Sequence, residues 1–185
     1  TTRQFSGNVK EIFPDCKVVR LDIDSAKTKT AHEKIIGEFE SGKIDVLVGT
    51  QMVSKGLDFE RVRLVGILNA DALLNFPDFR AYERAFQMMA QVSGRAGRKN
   101  RRGLVVIQTS TPEHPVIELV RNNDFQSLYE EQLLQRSSYK YPPYYRLIYI
   151  NIKGREFKQV EQAANFLAVQ MRRVFSERVY GPDKP

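Results

Sequence analysis

Short β-branched runs alternate with stretches of helical period along most of the chain. Lys17-Val-Val-Arg-Leu-Asp22, Ile44-Asp-Val-Leu-Val-Gly-Thr50, Arg63-Leu-Val-Gly-Ile-Leu68 and Gly103-Leu-Val-Val-Ile-Gln-Thr109 each read as a buried strand. Between the first two, Thr30 and Glu33 make a capping box for a helix through Ile35, Ile36 and Phe39, stopped near Gly42. Between the last two, the period predicts a helix from about Phe79 to Gly97. Phe79, Tyr82, Phe86, Met89, Ala90 and Ser93 form its core-facing stripe. Strands separated by helices imply a parallel sheet covered on both faces.

Beyond Thr109 the texture changes. Val116 to Arg136 reads as one or two helices, with Ile117, Val120, Phe125, Leu128, Leu133 and Leu134 for packing. Ser137-Ser-Tyr-Lys-Tyr-Pro-Pro143 is a linker, which sets domains at 1–138 and 139–185. Alternation predicts a strand over Arg146 to Lys153 and helical period predicts a helix from Val160 to Phe175, carrying Ala163, Ala164, Leu167 and Met171 inward. These elements cannot complete a sheet before Pro185, so a truncated α+β domain is expected.

The candidate chemistry gathers at two places. Gln91-Val-Ser-Gly-Arg-Ala-Gly-Arg98 puts Gln91, Arg95 and Arg98 at i, i+4 and i+7, one face of a helix if the helix continues that far. Arginines near a helix C-terminus equally fit a solvated basic end. The strand ending at Thr50 opens into Gln51-Met-Val-Ser-Lys-Gly-Leu-Asp-Phe59, with a hydroxyl at Thr50, a glycine at 56 and a carboxylate at Asp58. Strand C-terminal ends are where α/β sheets bind ligands, although Asp58 also fits a turn or cap. His114, between two prolines, suits a turn or helix start, and His32 has no ligand-spaced partner.

GTQMVSKGLDF followed by QVSGRAGR resembles motifs V and VI of superfamily 2 helicases, in the second of their two RecA-like lobes. The segment from Asn69 to Gln87, Thr109 to Ile117 and Tyr141-Pro-Pro-Tyr144 are similar to the primosomal replication-restart helicases, and the resemblance covers nearly the whole chain. Asn69 stands where that family usually has aspartate and Glu60 where it has proline. The resemblance implies a RecA-like parallel sheet with flanking helices, and ATP with magnesium held between this lobe and another. It implies Arg95 and Arg98 at the β- and γ-phosphates, with Arg98 as arginine finger. Gln91 would orient a phosphate or the attacking water, Gly56 and Asp58 would approach the ribose, and Thr50 and Gln51 a DNA phosphate. Implied partners are branched or single-stranded DNA, single-strand DNA-binding protein and other primosome proteins. Zinc belongs to a cysteine-rich module that this chain lacks.

Composition narrows the picture. The net charge is +7, and Arg95 to Arg102 holds five cations without an acid, as a phosphate binder would. Lys153-Gly-Arg155 and Arg172-Arg173 are smaller clusters that also suit solvated surface. One cysteine, Cys16, allows neither an internal disulfide nor a cysteine zinc site, so no metal is expected here. Apolar runs are too short to span a bilayer, and a chain opening on Thr1 reads as a segment of a cytoplasmic protein. There is no phosphate loop of the form GxxxxGK(S/T) and no strand-end Asp-Glu pair for magnesium. The expectation is therefore half of an active site, inactive alone. The alternatives are a lobe of another superfamily 2 translocase, for branch migration or repair, and a non-catalytic module binding DNA or a protein partner.

Overall fold

Val18–Leu21 (β1) and Val46–Gly49 (β2) pair in parallel, with Val18 opposite Val46 and Leu21 opposite Gly49. Parallel neighbours need a crossover, supplied here by α2, Lys29–Glu40. The structure is a computed structural model that describes residues 2–22, 28–50, 62–94, 96 and 103–183. An opening helix that the sequence reading did not include, α1 (Thr2–Ile12), buries no residue fully.

The cap of α2 differs from expectation. Thr28, not Thr30, is the N-cap: its backbone is extended and its hydroxyl oxygen accepts from the Ala31 amide at 3.2 Å. Thr30 already lies inside the helix, and Glu33 pairs with Lys29 at 3.8 Å instead of closing a box. At the other end Gly42 adopts φ 76°, a left-handed conformation that glycine enters without steric cost. That turn lets Lys43 N–H donate to Glu38 O at 2.9 Å and Gly42 N–H to Phe39 O at 3.0 Å, satisfying carbonyls the helix leaves open.

A second parallel pair, Leu64–Ile67 (β3) and Leu104–Ile107 (β4), runs in register from Leu64 with Leu104 to Ile67 with Ile107. Among the described residues the strands are hydrogen-bonded two by two, β1 with β2 and β3 with β4. Between β3 and β4 lie α3 (Asp71–Leu74) and α4 (Ala81–Ser93). Beyond β4, His114 caps α5 (Pro115–Asn122) by accepting from Val116 N–H at 3.2 Å through Nδ1, in agreement with its reading as a helix start. Asn123 turns left-handed at φ 52°, and Asp124 then caps α6 (Phe125–Ser138) through Ser127 N–H at 3.0 Å. Strands alternating with helices make this the parallel α/β arrangement that the pattern implied, consistent with the RecA-like fold that the resemblance implied.

Two apolar clusters hold these elements. Ala85, Phe86 and Met89 of α4 meet Val116, Ile117 and Val120 of α5 and Leu128 of α6. Leu21 of β1 meets Ile36 of α2, flanked by Ile35, Phe39, Leu47 and Val62. Burying a side chain such as Leu128 contributes about 1.5–3 kcal/mol. Phe125 and Leu134, expected in the core, are 51% and 69% exposed, because α6 buries only a narrow stripe through Leu128 and Gln132.

Lys140–Pro185 forms a unit of its own, distinct from Thr1–Tyr139. Its main element is α7, Phe157–Phe175, followed by a 3₁₀ turn at Ser176–Arg178. Ala168 is the buried residue of α7; Ala164, Leu167 and Met171 are half-buried, and Ala163 is exposed. The strand expected over Arg146 to Lys153 does not form. A strand exists only by pairing, this unit offers no partner strand among its described residues, and Ile148 stands 86% exposed. No described helix is long and apolar enough to cross a membrane.

Candidate functional site

The C-terminal ends of parallel strands, with the loops that leave them, are the places where such sheets take ligands. At the end of β1, Asp22 is 9% exposed, accepts from the Thr2 hydroxyl at 2.9 Å and faces Arg20 Nε at 3.3 Å. It is a satisfied structural carboxylate. At the end of β2, Thr50 is exposed, and its hydroxyl makes no hydrogen bond to another described residue. Gln51, Gly56 and Asp58, predicted to follow it, lie outside the described residues.

At the ends of β3 and β4 the two exits are sewn together. Gln108 N–H donates to Ile67 O at 2.8 Å, Ala70 N–H to Gln108 O at 2.9 Å, and Asn69 N–H to the Gln108 side-chain oxygen at 3.3 Å. Asn69 itself is left-handed, φ 52°, and its side-chain oxygen accepts from Ala72 N–H at 3.3 Å. An uncharged local role of this kind needs no acid at position 69. Asp71 then accepts from the Thr109 hydroxyl at 2.5 Å, the Ser110 amide at 2.9 Å and the Ser110 hydroxyl at 2.7 Å. These donors, the Thr109 hydroxyl foremost and the Ser110 amide and hydroxyl next, hold its carboxyl below the usual carboxylate range. The sequence reading missed this clamp; its only signal is an aspartate opening a helix after one strand and Thr-Ser closing another.

Gln91 lies exposed in the last turn of α4. The helix stops at Ser93, short of the expected Gly97, with Gly94 as its cap. Gly94 N–H still reaches Ala90 O at 2.9 Å, but Ala96 N–H bonds to Ser93 O at 3.1 Å, a shorter loop that breaks the α ladder. Of the three residues expected on one helical face, the described helix carries Gln91. Arg95 and Arg98 themselves lie outside the described residues, as do Lys99, Arg101 and Arg102. Ser93 Oγ is buried without a hydrogen-bond partner among the described residues, an open polar position beside that segment.

The platform carrying Gln91 is well fixed. Arg136 of α6 pairs with Glu83 of α4 and sits over the Phe79 ring at 5.1 Å, while Arg84 reaches Asp78 at 2.9 Å. The described residues thus bring Gln91 and Thr50 to accessible ends of elements anchored by the core, with side chains available to a ligand. They hold no group of three or more His, Cys, Asp or Glu that could bind a metal ion.

Comparison with known proteins gives these features a setting. Residues 3–100 match the family described as the helicase conserved C-terminal domain. The replication restart protein PriA of Bacillus subtilis is 42% identical over 170 residues, 90% of this chain and 21% of its own length. That of Synechocystis sp. is 41% identical over 178 residues, 96% of this chain and 21% of its own, and that of Haemophilus influenzae 36% over 183 residues, 98% and 25%. The chain spans about a fifth of the length of the first two relatives.

Proposed function

Because this chain belongs to the helicase conserved C-terminal domain family, we propose that it is the second motor lobe, with the start of the following domain, of an ATP-dependent DNA helicase in replication restart. Residues 1–138 are the lobe and 139–185 open the next domain. The observation that carries this reading is the run of matched residues from 3 to 100, which spans the sequence after β2 and the end of α4, with likeness to the PriA proteins continuing across the second unit. That continuation favours replication restart over a branch-migration or repair translocase.

In this reading the chain binds one side of ATP. Arg95 and Arg98 grip the β- and γ-phosphates, since a guanidinium donates two parallel hydrogen bonds and stays charged throughout the cycle. Arg98 stabilises the charge that develops on the transferring phosphoryl group. Gln91, on the exposed end of α4, orients a phosphate or the attacking water. Gly56 and Asp58 meet the ribose. Thr50 and Gln51 hold a DNA phosphate, a contact that positions the strand without reading its sequence. The phosphate loop and the acids for magnesium belong to a partner lobe, and zinc to a module outside this chain. Branched or single-stranded DNA, single-strand DNA-binding protein and other primosome proteins are the partners, in the cytoplasm.

The test is Arg98→Ala in the longer protein that carries this chain. Loss of an arginine finger lowers ATP turnover by about 10³- to 10⁵-fold, and DNA affinity stays within a few-fold. Turnover within a few-fold of the unmodified protein removes Arg98 from its role.

A further inference from the structure

Arg20 and Asp22 meet at the exit of β1, a pair that the motor reading does not use. Residues two apart on a strand share a face, and parallel partners share it too. Arg20 and Asp22 therefore lie beside Val48 and, with the register carried one residue further, Thr50. Val48 is apolar and buried, and offers a guanidinium nothing. Arg20 turns instead toward the exit, where its Nε faces Asp22 Oδ2 at 3.3 Å. The same oxygen accepts from the Thr2 hydroxyl at 2.9 Å, so α1 pins the carboxylate that holds the arginine.

The contact is side-on. Arg84, Arg121 and Arg136 approach their carboxylates through a terminal nitrogen, Nη1 or Nη2, whereas Arg20 does so through Nε. A guanidinium is a rigid planar fork with five N–H donors, so side-on use leaves its outer edge able to grip a second acceptor. That edge has no hydrogen-bond acceptor among the described residues, and the side chain is 23% exposed, open to a ligand from solvent. Neighbouring strands lie about 4.8 Å apart, which sets the exposed Thr50 hydroxyl within one phosphate group of the pair. A charged fork and a hydroxyl are donors that a phosphodiester accepts from. Asp22 by itself repels a phosphate; paired with Arg20 its charge is cancelled, and the outer donors remain. We infer that Asp22 is a positioning residue, which aims Arg20 so that the outer edge of the guanidinium shares with Thr50 the DNA phosphate at the exits of β1 and β2. The inference rests on the reading of Thr50 as a DNA-phosphate contact.

The experiment uses the whole chain and fluorescence anisotropy with labelled oligo-dT over a salt series. Each phosphate contact on a single strand contributes about 0.7 to the log–log salt slope. Arg20→Gln lowers the slope by about that amount, and Arg20→Lys, which keeps the charge without the fork, retains it. Asp22→Asn separates positioning from simple charge. Counted as charge alone, removing a carboxylate beside a phosphate tightens binding. As the group that aims Arg20, its removal weakens binding by about three-fold or more and lowers the slope as Arg20→Gln does. The double variant is then no weaker than Arg20→Gln alone, because Asp22 acts through Arg20. Tighter binding or an unmoved slope in Asp22→Asn overturns the inference, and so do additive losses in the double variant. Where Asp22→Asn does not fold, as read by circular dichroism, equal slopes for Arg20→Gln and Arg20→Lys overturn it instead. Thr50→Ala distinguishes this inference from the reading beneath it: weaker binding there, with the slope of Arg20→Gln unmoved, removes Arg20 and Asp22 alone. Unchanged binding by Thr50→Ala removes the phosphate contact at Thr50 and this inference with it.

Discussion

One carboxylate oxygen of Asp71 accepts both the amide and the hydroxyl of Ser110, at 2.9 and 2.7 Å, and so ties the exit of β3 to the exit of β4. The other oxygen takes the Thr109 hydroxyl. All three donors favour the ionised form, so the folded-state pKa lies below that of the unfolded chain. The clamp's stabilisation is complete above the unfolded value, about 3.9, and is lost as pH falls through the lower folded value. Asp71→Asn is expected to melt at a lower temperature than the unmodified chain at pH 7, with the difference shrinking below about pH 4. Thermal melts across pH test this; a gap that widens toward acid contradicts the clamp.

Leu128 is 1% exposed and contacts the cluster that joins α4, α5 and α6. Leu128→Ala should destabilise the first unit by about 2–5 kcal/mol. Leu134→Ala, on the same helix but 69% exposed, should fall within about 0.5 kcal/mol of the unmodified chain. Urea denaturation distinguishes them, and similar midpoints for both would mean that α6 packs otherwise.

Purified alone, the chain is expected to hydrolyse no ATP above background, with or without single-stranded DNA. No phosphate loop occurs in its sequence, so the γ-phosphate lacks half of its cradle. Steady hydrolysis that follows the protein through gel filtration would show that the site has been misread.

DNA binding by the chain should be weak, about 10⁻⁴ to 10⁻⁶ M at physiological salt, indifferent to sequence and weaker as salt rises. A few phosphate contacts supply no more than this. Nanomolar, salt-insensitive or sequence-selective binding would instead mark a dedicated recognition module.

The succession of strands and helices in the first unit was legible because β-branched runs and helical period are local properties, written within a few residues. Motif order was legible for the same reason, so the likeness to helicases needed no coordinates. Partnership decided the rest. Asp71 and Ser110 are 39 residues apart, and nothing in either neighbourhood announces the other. Whether Phe125 and Leu134 are buried depended on which stripe of α6 meets α4 and α5. Arg146 to Lys153 has the alternation of a strand, yet pairing is a property of two segments, and no second strand occurs among the described residues of its unit. The end of α4 at Ser93 likewise rests on which carbonyls the next amides reach, Ala90 O for Gly94 N–H and Ser93 O for Ala96 N–H, a choice that helical period alone does not encode.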